Sequence, residues 1–261
     1  MTCRKENIGN KPHTTGAGGY CHRCETEHFL GVGNTVSLSQ QLMQHFEDYG
    51  TIDLFSTPST GDESLHLNYL FGPARGKMFG LLECRRDDGK TVILRAFSGQ
   101  YNTRWLVQGW VPPLFSVDEF NSLTYFREKQ IKELGSEINR WSRHSDSWLL
   151  LRKKRRHLSQ ELMRDIHDLY SVSNFRGETV SLDKAFTGSN GIPSGTGDCC
   201  APKLLNFAAR NKLHPLGISE FYWGRENRSG TQSHASFTSS CKEKCAPILG
   251  FMLCGLNQED K

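Results

Sequence analysis

Long apolar runs are missing from this 261-residue chain, which excludes a helix long enough to cross a bilayer. The first twenty residues lack the apolar core of a secretory signal and the Arg- and Ser-rich pattern of a transit peptide. Charge of one sign is not in large excess either, because 32 Lys and Arg stand against 28 Asp and Glu. We therefore expect a cytoplasmic or nuclear protein that does not engage a membrane.

Cysteine is present at nine positions, too few for a disulfide scaffold in a chain of this length. In a reducing compartment, closely spaced cysteines indicate metal binding before they indicate disulfides. The close pairs, followed by the isolated residues, are Cys21/Cys24, Cys199/Cys200 and Cys241/Cys245, then Cys3, Cys84 and Cys254. This pattern predicts a protein that binds Zn²⁺.

Positive charge is concentrated between Phe126 and Arg164, where eleven Lys and Arg accompany five Asp and Glu. Five cations are consecutive within this segment: Arg152, Lys153, Lys154, Arg155 and Arg156. Such a run predicts contact with RNA phosphates or a nuclear import signal, whereas a solvated helix face is the plain alternative. Its partner is expected to be an acidic surface or a phosphate backbone.

Three regions follow from the patterning of the chain. Residues 1–19 are polar and Gly-rich, which predicts a disordered lead-in, and residues 20–66 form a small cysteine-bearing segment. Residues 67–256 carry the main α/β domain, in which residues 116–171 are an inserted, basic helical hairpin. Ser116 opens this hairpin with a capping box, and polar residues 144–147 separate its two helices.

Several other elements can be predicted from local signals. Residues 77–84 and 90–97 are β-rich and flank Asp88-Gly89, which predicts a hairpin, and a helix is expected over 37–49. Asp198 is the expected N-cap of a helix over 199–209. A strand is expected over 216–223, a loop over 171–178 and a final helix over 241–255.

The sharpest candidate site combines Cys199, Cys241 and Cys245. A cysteine in the first turn of a helix has its thiolate favoured by the helix dipole, and three thiolates suit Zn²⁺. Three protein ligands leave the fourth position open for water. The alternative is that Cys199 and Cys200 are small core residues, with Cys241 and Cys245 pairing elsewhere.

A second candidate is the knuckle-like sequence that runs from Cys21 through Cys24 to His28. This half site could join Cys241 and Cys245 in a closed four-cysteine zinc site, which would be structural and would exclude catalysis. It could also form an independent site completed by Cys3 or His28. Spacing alone leaves both arrangements open.

The order of a hairpin, a helix with a leading cysteine, a strand and a cysteine-pair helix resembles the zinc-dependent nucleoside deaminases. That resemblance implies a cytidine-deaminase-like three-layer core with Cys199, Cys241 and Cys245 as zinc ligands. The chain departs from the family in its three-residue spacing between Cys241 and Cys245, in the lack of a preceding proline, and in Ala201 at the position of the proton-shuttling glutamate. Glu220 or Asp198 could take over the role of that glutamate.

A second resemblance rests on the longer motifs Gly-x-Gly-Asp-Cys-x-Ala-Pro-Lys-Leu-Leu around Cys199, Pro-Leu-x-x-x-Glu-Phe-x-Trp-Gly around Glu220, and Cys-x-x-Lys-Cys-x-Pro-Ile-Leu from Cys241. These resemble an N-terminal extension fused to some RluA-type RNA pseudouridine synthases. The likeness covers roughly residues 69–256. The Arg-Leu-Asp context of the synthase's catalytic aspartate is missing from this sequence, so the resemblance implies an RNA context without isomerase chemistry.

Three functional hypotheses follow. The first is a zinc-binding module that engages RNA in RNA modification, with a protein partner possible in that setting. The second is a zinc-dependent nucleobase or nucleotide hydrolase of the deaminase type, with Glu220 or Asp198 moving the proton. The third is a structural protein-interaction domain that holds a closed four-cysteine zinc site.

Overall fold

The computed structural model describes residues 15–55, 61–189 and 191–256, and these residues form a mixed α/β fold, as predicted. Within these ranges the strands are β1 (Gly16–Cys21), β2 (Thr26–Gly31), β3 (Lys77–Arg85), β4 (Thr91–Phe97), β5 (Ser171–Ser173), β6 (Thr179–Ser181), β7 (His214–Trp223) and β8 (Ser236–Thr238). The α-helices there are α1 (Thr35–Tyr49), α2 (Val117–Ile138), α3 (Asp146–Asp168), α4 (Leu182–Ala185), α5 (Cys200–Arg210) and α6 (Ala246–Met252).

The central sheet has the strand order β4-β3-β7-β8, and each strand in it is antiparallel to its neighbours. The predicted β3–β4 hairpin is confirmed, and Gly89 takes the left-handed φ of +81° that its turn requires. The predicted strand over 216–223 is also confirmed as β7, which pairs with β3 along its full length. Strand β7 therefore lies in the interior of the sheet.

Apolar side chains cover both faces of this sheet because successive residues of a strand point to opposite sides. Leu82 and Ile218 belong to one buried cluster, which they share with α5 and α6. Phe79 and Phe221 belong to a second cluster, together with Phe46 of α1. The sheet is thus packed between α1 on one side and the pair α5 and α6 on the other.

The predicted helical hairpin is confirmed as α2 and α3, which pack antiparallel against each other. Ser116 caps α2 as expected, since its hydroxyl accepts a hydrogen bond from the Glu119 amide. An ion pair joins Arg127 in the middle of α2 to Asp165 near the end of α3. On α3 only Leu162 is buried, so most of the surface of this helix faces solvent.

The N-terminal residues of the described chain correct one prediction. Residues 16–19, expected in a disordered lead-in, form most of β1, which pairs with β2 and packs on α6. The approach is close because two glycines face each other across it. A Cβ on Gly19 would lie 2.1 Å from the Ala246 carbonyl oxygen, and one on Gly250 would lie 2.0 Å from that of Tyr20.

Two further expectations differ from the structure. Residues 171–178 contain β5 and the turn that joins it to β6, and do not form a plain loop. Helix α6 begins at Ala246, because residues 241–245 form a turn that precedes it. Among the described residues, no helix has both the length and the apolar character needed to cross a membrane.

Candidate metal centres

Three cysteines that are distant in sequence meet between α5 and α6. Cys199 is the N-cap of α5 and Cys245 is the N-cap of α6, while Cys241 begins the turn that precedes α6. The sulfur atoms of all three lie within 4.8 Å of one another, and the Sγ atoms of Cys241 and Cys245 are 3.4 Å apart. The predicted association of Cys199, Cys241 and Cys245 is therefore present in the structure.

The three thiols share their protons unequally. Hydrogen bonds with Cys199 and Cys245 lower the pKa of Cys241. The hydrogen bond with Cys241 raises the pKa of Cys199. The hydrogen bond with Cys199 likewise raises the pKa of Cys245. Cys241 is exposed and Cys245 is buried, so the cluster opens to solvent on the side of Cys241. This group, which we call the three-cysteine cluster, favours one thiolate supported by two thiols and presents soft donors suited to Zn²⁺.

No fourth Cys, His or carboxylate of the described residues belongs to this group. A tetrahedral ion bound there would therefore keep one position free of protein ligands. The geometry fits an open zinc site and does not require a closed one.

Glu220 of β7 lies beside the three-cysteine cluster. Its side chain is only 6% exposed, and one carboxylate oxygen, Oε1, accepts a hydrogen bond of 3.1 Å from the amide of Ala201. The other oxygen, Oε2, accepts a hydrogen bond of 2.8 Å from the hydroxyl of Ser240, the residue before Cys241. Burial raises the pKa of Glu220, which these hydrogen bonds partly oppose. Glu220 is thus held by the backbone amide of Ala201 and by the side-chain hydroxyl of Ser240.

Asp198 lies at the same end of α5 but is held differently. The N-cap is Cys199 and not Asp198, which corrects the prediction. The Asp198 carboxylate accepts a hydrogen bond of 2.7 Å from the Tyr170 hydroxyl, and burial raises its pKa. Because its oxygen is engaged by Tyr170 of the hairpin region, Asp198 acts as a link between α5 and the segment after α3.

Lys203 is a buried cation that sequence reasoning did not single out. It is only 1% exposed on α5, and its ammonium donates hydrogen bonds to the carbonyl oxygens of Phe97, at 3.0 Å, and of Gly99, at 2.8 Å. Burial lowers the pKa of Lys203 to about 8. Its position on α5 four residues after Cys199 fits helical spacing, but its burial depends on the β4 carbonyls, which the local sequence does not reveal.

A second group brings together Cys21, Cys24, His28 and Cys254, whose ligand atoms all lie within 4.8 Å of one another. Two members, Cys21 and Cys24, are predicted metal ligands, and His28 was expected as a possible partner. Cys254, which follows α6, was treated as an isolated cysteine, and no local signal marks it. Cys3, the other expected partner, lies outside the described residues.

The two groups are separate, which corrects one alternative. A closed site made of Cys21, Cys24, Cys241 and Cys245 would require all four sulfur atoms in a single cluster. The structure instead places the first pair at the end of β1 and the second pair at the start of α6, each with different companions. The hypothesis of a structural domain built on that shared cage loses its basis.

The basic run lies on α3, where Arg152, Lys153, Lys154, Arg155 and Arg156 are all exposed. None of these five side chains forms an ion pair with another residue of the described chain. The guanidinium of Arg152 lies over the Trp148 ring, 4.9 Å from its centroid. The run therefore presents uncompensated positive charge to solvent.

The surroundings of this run also carry exposed apolar groups. Leu150, two residues before the run on α3, is 69% exposed. The surface around the run therefore combines exposed cations with an exposed apolar side chain.

Comparisons of the chain with protein-family models, with curated proteins and with solved structures found no match.

Proposed function

We propose that this protein is a zinc-binding module that engages RNA, with α3 as the contact surface and the three-cysteine cluster as a metal centre. The observation that carries the RNA part is the run from Arg152 to Arg156, whose five exposed cations are without an ion-pair partner among the described residues. Arg155 lies beside Gly135 of α2, but all five members of the run are exposed, and Leu162 is the one buried residue of α3.

A helix turns by about 100° per residue, so five consecutive cations point to nearly all sides of α3. Like charges at this density repel one another, and a polyanion that lies along the helix relieves this repulsion. Binding to a phosphate backbone releases condensed counterions, so the affinity should fall steeply as salt rises. The RNA-modification setting rests on the motif resemblance around Cys199, Glu220 and Cys241.

The test is a titration of single-stranded RNA over a range of salt concentrations. If three phosphates pair with the run, neutralising Arg152, Lys153 and Lys154 to Gln should flatten the log–log salt slope by roughly 2. A matched control changes Arg85, Arg86 and Lys90 to Gln. These three residues are exposed at the β3–β4 turn, and their substitution removes the same amount of charge. Equal effects of the two triple variants, or no RNA binding at low salt, would refute the role of α3.

A second candidate function is a zinc-dependent hydrolase of the deaminase type, and the position of Glu220 favours it. In the deaminase pattern the glutamate stands at the position occupied here by Ala201. Glu220 reaches that place from β7, since its carboxylate accepts a hydrogen bond from the Ala201 amide. A carboxylate supplied by a neighbouring strand can in this way occupy the region that the missing side chain leaves open.

Zinc at the three-cysteine cluster would supply Lewis acidity to a substrate at its open position. The residues of the chain would then hold and move the proton, and burial, which raises the pKa of Glu220, favours its holding a proton. We prefer Glu220 to Asp198 because its hydrogen bonds come from Ala201, at the position of the family's glutamate, and from Ser240 next to Cys241, whereas Asp198 is hydrogen-bonded by Tyr170 after α3. Glu220 is therefore the proposed proton carrier.

Ammonia release from nucleosides, nucleotides and RNA tests this second candidate. Glu220→Gln keeps the shape of the side chain and removes its titration, so activity should fall by about 10²-fold or more while zinc content is unchanged. Asp198→Asn serves as the control and should retain most of the activity. Equal losses in both variants, or no ammonia from any of the three substrates, would reject the hydrolase.

A further inference from the structure

The second cysteine group joins the two ends of the described chain. Cys21 closes β1, Cys24 follows in the turn, His28 lies in β2, and Cys254 comes just after α6. All four ligand atoms lie within 4.8 Å of one another, and the Sγ atoms of Cys24 and Cys254 are 3.2 Å apart. Ligands around a tetrahedral zinc ion are roughly 3.3–3.8 Å apart, so this spacing suits one ion.

One ring nitrogen of His28, Nε2, is buried without a hydrogen-bond partner among the described residues. His28 Nε2 is inaccessible to solvent and makes no hydrogen bond with any described residue. A buried polar nitrogen without a partner costs free energy. A metal ion bound through Nε2 would satisfy this nitrogen.

The charge around the group is also arranged for an anionic complex. Arg176 donates from Nε to the Cys254 sulfur at 3.1 Å and from a terminal nitrogen to the Cys24 sulfur at 3.7 Å. Three thiolates and one neutral imidazole around Zn²⁺ leave a net negative charge. A guanidinium that contacts two of the sulfur atoms offsets that charge and orients the ligands from outside the metal sphere.

We propose that Cys21, Cys24, His28 and Cys254 bind a structural Zn²⁺ ion that fastens the β1–β2 hairpin to the end of α6. Four protein ligands fill the tetrahedral sphere, so this site has no open position and does not perform catalysis. The soft Cys₃His donor set selects Zn²⁺ over hard cations such as Mg²⁺ and Ca²⁺. The site is independent of the RNA contact and of the three-cysteine cluster.

Metal analysis of the 261-residue protein tests the proposal. Cys254→Ser should lower the zinc content from about two ions per chain to about one, and Cys245→Ser should do the same through the other cluster. Cys84→Ser is the matched control, because Cys84 is fully buried in β3 and belongs to neither group. Wild-type zinc content in Cys254→Ser would overturn the proposal.

Two measurements protect this test from a variant that simply fails to fold. His28→Cys preserves a ligand and should retain zinc, whereas His28→Ala should lose it; equal zinc content in the two variants would contradict coordination by His28.

Alkylation of the wild-type protein then distinguishes a metal from a disulfide. A chelator alone should expose Cys24 and Cys254 together while Cys84 stays protected. Exposure that needs a reductant, or that occurs before chelation, would overturn the metal site.

Discussion

The contact between β1 and α6 makes a sharp prediction for Gly250. A Cβ there would lie 2.0 Å from the carbonyl oxygen and 2.2 Å from the carbonyl carbon of Tyr20, whereas ordinary contact begins at 3.4 Å. Both obstacles are backbone atoms, which cannot rotate away as a side chain can. Gly250→Ala must therefore displace β1 from α6 by about 1 Å or more.

The expected cost combines two opposing contributions. Overpacking costs about 1–3 kcal/mol or more, and the better helix propensity of alanine returns at most about 1 kcal/mol. With a clash this close, we expect a net loss of about 2 kcal/mol in the free energy of unfolding. For a chain of this size the loss should lower the Tm by about 4–8 °C.

Gly135 on α2 provides a matched control with the opposite sign. A Cβ at this position would meet the flexible side chain of Arg155 at 3.6 Å, which is ordinary contact. Gly135→Ala should therefore gain about 0.5–1 kcal/mol from helix propensity and raise the Tm by a few degrees. Calorimetry of both variants checks the pair, and a Tm for Gly250→Ala at or above that of the wild type would refute the packing of β1 on α6.

Two further substitutions test the core and the buried lysine. Phe46→Ala removes a ring that packs against Phe79 and Phe221, so urea unfolding should show a loss of about 3–5 kcal/mol in the free energy of unfolding. Phe126→Ala, at an exposed position, should cost less than about 0.5 kcal/mol. Similar losses in the two variants would contradict the assigned core. Burial lowers the pKa of Lys203 to about 8, and repulsion from Lys77 adds to this effect, whereas attraction to Asp198 and Cys200 opposes it. The unfolded chain therefore binds this proton more tightly than the folded chain does. The free energy of unfolding should rise with pH between about 8 and 10.5. In urea titrations across that window, the slope of the unfolding free energy against pH should approach about 1.4 kcal/mol per pH unit in the wild type. Lys203→Met should lack this slope. Equal slopes in the two proteins would reject Lys203 as the titrating group.

The elements with strong local signals could be predicted from the sequence. The β3–β4 hairpin follows from Asp88-Gly89 between two β-rich runs, and α2 follows from the Ser116 capping box. Strand β1 was not predicted because glycine-rich sequence is typical of unstructured chain. Its glycines serve tertiary packing instead, since Gly19 allows the strand to approach the Ala246 carbonyl. Local composition does not contain that contact.

The candidate metal centres, too, could be predicted only in part from the sequence. The grouping of Cys199 with Cys241 and Cys245 was predicted, because a cysteine at the start of each of two neighbouring helices suggests one site. The fourth member of the other group was not predicted, because nothing near Cys254 in the sequence relates it to Cys24. Only the packing of β1 on α6 brings these two residues together.

The contact between Cys24 and Cys254 spans 230 positions of the chain. A metal bridge at this point would close almost all of the described polypeptide into a ring and restrict the disordered ensemble that competes with the native state. The chain-entropy relation for cross-links puts that restriction at roughly 5 kcal/mol, although strain and residual structure usually reduce it. Removal of the ion would then release both ends of the described chain at once, and the first segments to fray would be the β1–β2 hairpin and the short helix α6.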